Sequence, residues 1–224
     1  MPGVDIKRNT VQDIRDVLIS KLAGGDFASN GTLEITGANF IADEDSIFGK
    51  PSEAYIEKEL YWYLNEDLSI QGLAPGIPEI WKSVACKDGL INSNYGWCIF
   101  SEANGSQFTN AINHLAKDVG SRQAVMVYTR PSIHTDAFTN GRKDFICTNA
   151  VQLLIRDGKL EYHVSMRSND VVYGYNNDVA WHRYVHQRAL ACLPESLGGI
   201  EIGDMYWSAG SLHVYPRHFK LVVR

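Results

Sequence analysis

Val151-Gln152-Leu153-Leu154-Ile155-Arg156-Asp157-Gly158-Lys159-Leu160-Glu161-Tyr162-His163-Val164 is the stretch whose reading decides the fold. Two apolar-rich runs flank Asp157-Gly158. That pair is a two-residue turn signal, because glycine accepts the positive φ a tight hairpin needs. Working outward, strands over 145–156 and 159–168 fold back on each other. Cys147 then lies beside Met166-Arg167-Ser168-Asn169-Asp170-Val171-Val172-Tyr173-Gly174, with Asp178 just beyond. A thiol, an arginine, two carboxylates and several amides converge on one part of a sheet.

Further out, Asn9-Thr10 can cap a helix through Val11, Ile14, Val17, Leu18 and Leu22, ended by Gly24-Gly25. Residues 32–36 alternate like a strand. Ser52 to Leu64 reads as a helix with Ile56, Leu60, Tyr63 and Leu64 inward, and 65–80 as loop. A third helix spans 105–117, a strand Gln123 to Thr129 and a fourth helix Val179 to Leu190. Strand returns from Met205 to Val223, interrupted near Pro216. Helices mixed with mostly antiparallel strands make the fold class α+β. No repeat or linker divides residues 1–224, so one domain is expected.

The chain has 224 residues, 45% hydrophobic, enough for one sizeable core. Its net charge is −5, so no diffuse basic field attracts nucleic acid or an anionic membrane. Placed arginines would have to hold any anionic ligand. No apolar run reaches membrane-span length, and Met1-Pro2-Gly3-Val4-Asp5 is not a signal peptide, so a cytoplasmic location is expected. Cys86, Cys98, Cys147 and Cys192 show no metal-ligand spacing.

Each candidate has a plain structural reading beside the chemical one. Cysteine in an apolar strand is usually a small buried hydrophobe. Arg167 nearby argues for more, since a cation lowers a thiol pKa from about 8.5. Arg167-Ser168 is either a solvated strand pair or a phosphate fork. Asp178, ahead of Val179-Ala180-Trp181-His182, reads as a helix cap or first-turn acid. Glu59, within Glu59-Leu60-Tyr61-Trp62-Tyr63, is either a surface group or a desolvated acid with a raised pKa. His213 and Tyr215 alternate onto one strand face. His182 and His186 have metal-compatible spacing, but no third ligand accompanies them, so no metal is expected.

Taken together, the chain resembles the thymidylate synthase superfamily from about Thr32 to Phe219. The resemblance rests on Glu59-Leu60-Tyr61-Trp62, Ile80-Trp81, Asn94-Tyr95-Gly96, Ser121-Arg122, Cys147, the 167–174 segment and His213-Val214-Tyr215. Ile91-Asn92-Ser93-Asn94-Tyr95-Gly96-Trp97 and Tyr128-Thr129-Arg130-Pro131-Ser132 read as the branch that hydroxymethylates deoxycytidylate. The resemblance implies a twisted mixed sheet flanked by helices, and a homodimer formed through sheets with shared active sites. It implies a pyrimidine nucleotide substrate and 5,10-methylenetetrahydrofolate as one-carbon donor. Cys147 would add to C6 of the base, Tyr95 would help remove the C5 proton, and Glu59 would organise the acid–base water. Arg167, Ser168 and a cross-dimer Arg122 would hold phosphate. His213 and Tyr215 would meet the ribose 3′-hydroxyl, and Asp170, Trp81 and Gly174 the folate.

Departures from the synthase pattern cluster round the base. Asp178 replaces the uracil-reading asparagine, Thr148 a histidine and Met166 a glutamine. An ionised Asp178 would accept from cytosine N4 and a protonated N3. Gln123 replaces an arginine beside Arg122, and Ala28-Ser29-Asn30-Gly31 lacks a basic group, so either phosphate is held more weakly or Arg130 compensates. The sequence ends at Arg224 without the long C-terminal lid of synthases, which either suits hydration of the intermediate or reflects a truncated chain. These features imply hydroxymethylation of dCMP. CMP as substrate, synthase-type chemistry on dUMP, a Cys-His hydrolase and a lapsed nucleotide-binding dimer stand as alternatives.

Overall fold

A computed structural model describes residues 8–223. The amino-terminal segment read above as no signal peptide lies outside the described residues, as does Arg224. The hairpin forms as expected. β3 (Thr148–Arg156) and β4 (Lys159–Asp170) pair antiparallel, closing at Arg156 opposite Lys159. Asp157 and Gly158 take φ of 52° and 75°, the left-handed pair a two-residue hairpin requires.

With β1 (Leu33–Ile41), β2 (Val125–Val127) and β5 (Glu201–Val214), the hairpin builds a sheet in the order β1-β5-β4-β3-β2. Every neighbouring pair is antiparallel except β4–β5, which is parallel. A parallel neighbour needs a crossover. Here α7 (Gly174–Ala191) supplies it and packs on both strands. His182 of α7 meets Tyr162 and Trp207 of the sheet in the buried core.

The other helices are α1 (Val11–Gly24), α2 (Glu53–Leu64), α3 (Glu79–Val84), α4 (Tyr95–Phe100), α5 (Gln107–Lys117) and α6 (Ile133–Thr139). Thr10 caps α1 through a reciprocal box with Asp13, and Gly25 ends it at φ 67°.

Several boundaries differ from the sequence reading. The inward face of α2 is Glu59, Trp62 and Tyr63, while Ile56, Leu60 and Leu64 are only half-buried. Stacked aromatics from other elements claim that face instead of the aliphatics. Residues 65–80 contain a 3-10 turn at Ile70–Leu73 and the start of α3. The 123–129 strand shrinks to β2, whose Val125 and Val127 are exposed. β5 starts at Glu201, before Met205, and gives way to a 3-10 turn over Pro216–Leu221. α7 begins at Gly174, so Asp178 sits in its second turn and is not a cap. Asp170 takes that role, accepting from the backbone N–H groups of Val172, Tyr173 and Gly174.

One glycine fixes how α2 meets α4. A Cβ on Gly96 would lie 1.7 Å from the Tyr63 carbonyl oxygen. Gly96→Ala should therefore destabilise the fold by about 1–3 kcal/mol or more, read from urea unfolding. An unfolding midpoint equal to wild type would show that the helices do not need this approach.

Candidate active site

Cys147 lies just before β3, where the ladder ties it to the arginine across the hairpin: the Arg167 N–H donates to the Cys147 carbonyl at 2.9 Å. The guanidinium turns back over the same segment. Its Nε donates to the Ile146 carbonyl at 3.0 Å, Nη2 donates to the Phe145 carbonyl, and Nη2 stands 3.5 Å from the Cys147 Sγ. Arg167 thus shapes the cysteine loop and supplies the cation beside the thiol. Burial nonetheless outweighs that cation. The thiol is pushed up to about 11, with Arg167 pulling down and Asp178 and Asp144 adding to the rise. The expected lowering of the thiol is thus corrected: the resting group is a neutral thiol.

Tyr95 opens α4 behind Asn94. The Asn94 Oδ1 accepts the Trp97 N–H, and its amide donates to the Trp62 and Asp67 carbonyls. The Tyr95 ring stacks on Tyr63 at 5.3 Å and meets Tyr128 edge-on at 5.2 Å. Its hydroxyl is directed toward Thr148 and Asp178, with Cys147 close enough to disfavour its ionisation. Burial raises this phenol well above its ordinary range.

Glu59 is buried on α2, one turn after Tyr55. The Tyr55 hydroxyl donates to Glu59 Oε1 at 2.8 Å and accepts from Trp81 Nε1 at 3.0 Å. Trp81, half-buried on α3 beside the exposed Ile80, is thereby joined to the acid through one phenol. Burial pushes the Glu59 carboxyl up to about 7, against a lowering by the Tyr55 hydrogen bond.

Asp178 retains some surface, yet protein surrounds its carboxyl on nearly every side. The Asn169 Nδ2 donates to its Oδ2 at 2.7 Å. Burial first, then the Glu59 charge, raise this carboxyl well above the usual range. The ionised form expected from sequence is therefore corrected to a neutral acid. Gly174, at the start of α7, makes the packing possible: a Cβ there would stand 3.2 Å from the Asn169 Nδ2 and 3.7 Å from Asp178 Oδ2.

The remaining candidates fall in two groups. Ser168 pairs in register with Ser211, and Asp170 with His213, across the parallel β4–β5 ladder. The His213 and Tyr215 rings meet edge-on at 4.9 Å, so both serve one locality. Arg122 lies apart, exposed before β2, its carbonyl accepting from Gln152. Arg130 is engaged by Asp136 and by Asn92 Oδ1. His182 is buried, held neutral by burial and bound to the Tyr162 hydroxyl, so it is a core group. Among the described residues no cluster of His, Cys, Asp or Glu is placed to hold a metal.

Sequence reading did not single out Asn169, Tyr55 or Asp144, whose carboxylate accepts from the Asn92 and Ser93 backbone N–H groups. The Tyr55–Glu59 spacing, one helical turn, was the available signal for the first contact to the acid. Nothing local signalled the other two.

Residues 52–224 match the family model described as Thymidylate synthase, and the chain belongs to that family. The deoxycytidylate 5-hydroxymethyltransferase of Enterobacteria phage T4 is 45% identical over 219 residues, covering 95% of this chain and 89% of that protein. The thymidylate synthase of Vesicomyosocius okutanii is 26% identical over 182 residues, covering 77% of this chain and 62% of that protein. Thermostable thymidylate synthase A from Bacillus subtilis shares the fold. Its TM-score is 0.67 at 19% identity, over 96% of this chain and 83% of that one. The expected α+β fold of this family is the one the chain adopts.

The buried acid makes stability depend on pH. Glu59 rises from 4.5 to about 7 on folding, so the folded protein keeps a proton that the unfolded chain loses. The associated stability is complete below about pH 4.5 and is lost as pH rises through about 7. Asp178 acts in the same sense. Glu59→Gln keeps the acceptor for Tyr55 and removes the titration. It should resist urea better than wild type at pH 8, by about 1–3 kcal/mol, and match it near pH 4. An equal difference at both pH values would place the Glu59 pKa near its ordinary value.

Proposed function

We propose that this chain adds a one-carbon unit to C5 of a cytidine nucleotide, dCMP in the first instance, and hydrates it to the 5-hydroxymethyl product. The observation that carries the reading is Asp178, a buried acid near enough to Cys147, Tyr95 and Glu59 for their charges and hydrogen bonds to bear on one another. The likeness to the phage relative supports dCMP as the nucleotide.

In this reading Cys147 adds as thiolate to C6, which makes C5 nucleophilic. A resting thiol near 11 means that addition needs a proton acceptor and help from the base. Asp178 gives that help. As a neutral acid it donates to cytosine N3 and accepts from N4–H, and transfer of its proton makes the ring more electrophilic as sulfur adds. Tyr95, between Cys147 and Asp178, takes the proton leaving C5 as it passes its own hydroxyl proton to the Asp178 carboxylate left by the transfer to N3. Glu59, titrating near neutrality, can hold or release a proton through water at working pH. Arg167 steadies the thiolate and, with Ser168 and a partner subunit's copy of Arg122, meets the phosphate. His213 and Tyr215 meet the sugar hydroxyl.

The residues at the mouth fit a flat heterocyclic co-substrate: the half-buried Trp81 is held by Tyr55 next to the exposed Ile80. When bound, 5,10-methylenetetrahydrofolate supplies a one-carbon unit at the formaldehyde oxidation level. Trp81, Asp170 and the Gly174 backbone would hold it.

The sheet face away from α7 supports the dimer reading. Asn39, Gln152, His163, Ser165, Tyr206 and Ser208 line a shallow concavity there, with Val125 and Val127 exposed nearby. A second copy placed on that face would cover it and bring its Arg122 toward the neighbouring site.

Cys147→Ser should bind dCMP and fold normally while losing turnover by several orders of magnitude; wild-type turnover would end the covalent reading. Mixed dimers of Arg122→Ala and Cys147→Ser should recover one intact site, and no recovery after confirmed exchange would remove the shared-site arrangement. Weighing the nucleotide product after incubation with methylenetetrahydrofolate decides the chemistry. A gain of CH2O supports hydroxymethylation, a gain of CH2 supports methylation and no gain supports a lapsed binder. Asp178→Asn can lend no proton to N3. It should narrow or invert a dCMP-over-dUMP preference that is about tenfold or more in kcat/KM for wild type.

A further inference from the structure

A neutral carboxylic acid does not by itself distinguish the two pyrimidines. With its proton on one oxygen it donates to cytosine N3 and accepts from N4–H. With the proton on the other it accepts uracil N3–H and donates to O4. Something else has to decide which oxygen carries the proton.

We propose that Asn169 is the positioning residue that makes this choice, donating its amide to Asp178 Oδ2 so that the carboxyl proton is kept on Oδ1. The inference rests on the cytosine-reading role given to Asp178 above. An oxygen already accepting a hydrogen bond at 2.7 Å is favoured as the carbonyl-type oxygen, and the hydroxyl falls to its twin. Asn169 is itself only 3% exposed. Among the described residues its Oδ1 is buried without a hydrogen-bond partner, while its amide is bound to Asp178. Gly174 leaves room for the amide, and any side chain there would press on it from 3.2 Å. The ring of a nucleotide is fixed by its sugar and by Cys147 at C6, so the order of donor and acceptor on Asp178 becomes the specificity.

The same contact sets where Asp178 titrates. The groups that bear on it are Glu59, Tyr55 and Tyr63 from α2, Tyr95 from α4, Tyr128 after β2, Cys147 before β3 and Asp170 from β4. Among its hydrogen bonds, that from Asn169 leads in favouring the ionised form.

Asn169→Leu keeps the volume and removes the donor. It should narrow the dCMP:dUMP ratio of kcat/KM by about tenfold, mainly by raising dUMP use, and move the alkaline limb of the dCMP profile to higher pH. A purely packing role would lower stability and leave both readouts unmoved. Should the leucine variant not fold, Asn169→Ala on a Cys147→Ser background gives the same comparison from the Kd values of dCMP and dUMP. A ratio within twofold of the parent's, in a folded variant, overturns the proposal. Wild type that shows no preference for dCMP overturns the Asp178 reading itself and is seen before any Asn169 variant is made.

Discussion

Asp144 accepts three hydrogen bonds on one oxygen, each 2.7 Å long, from the Asn92 and Ser93 backbone N–H groups and the Ser93 hydroxyl. The Asn92 amide returns a bond to the Asp144 carbonyl, and Arg130 holds Asn92 from outside. This clamp joins the turn that leads into Tyr95 to the segment that leads into Cys147, two stretches some fifty residues apart in sequence. A buried carboxylate left without such partners is strongly unfavourable, so the two stretches cannot separate without losing several bonds together. Burial still raises the Asp144 carboxyl, the usual sign of a charge enclosed for structural reasons. The distance between nucleophile and phenol follows from this contact.

A second theme is the number of ionisable groups held neutral. Cys147, Glu59, Tyr95 and Asp178 are each displaced toward their uncharged forms, chiefly by burial. Glu59 and Asp178 also repel one another's charge, which separates their titrations. Arg167 is the cation in direct contact with the thiol, and its guanidinium is already engaged by two backbone carbonyls. A pocket arranged in this way stores protons at defined atoms and releases them when a substrate changes the local balance. That suits a reaction needing a thiolate, an acid at the base edge and a proton acceptor at C5 in close succession.

The start of α7 concentrates several demands in a few residues. Asp170 caps the helix, Asn169 holds Asp178, and Gly174 lets strand and helix approach closely enough for both. The sequence reading placed its candidate residues in this segment but divided the structural roles differently. It offered helix capping as one role for Asp178, since Asp before Val179-Ala180-Trp181 looks like a helix start. The preceding Gly174-Tyr175-Asn176-Asn177 is poor in helix formers, and tertiary packing overrides that weakness: Tyr175 and Asn176 are buried. The inner face of α2 was misread for a related reason. Aliphatic spacing marked Ile56, Leu60 and Leu64, but interlocking rings from α3, α4 and α7 take the neighbouring face.

By itself, the sequence determined the elements whose signals are local. Asp157-Gly158 specified the hairpin, Thr10 and Gly25 bounded α1, and alternation over residues 32–36 marked the edge strand β1, because turn, cap and pleat act within a few residues. The hairpin register was enough to set Arg167 beside Cys147, since only one register buries Val151, Leu153, Tyr162 and Val164 together. Tertiary structure alone decided the protonation of the site. Whether Cys147 is thiol or thiolate, and whether Asp178 is acid or carboxylate, depends on how much protein replaces water around each group and which charges stand beside it. Those neighbours, Glu59, Asn169 and Tyr95, come from three separate parts of the chain, and only folding sets their distances.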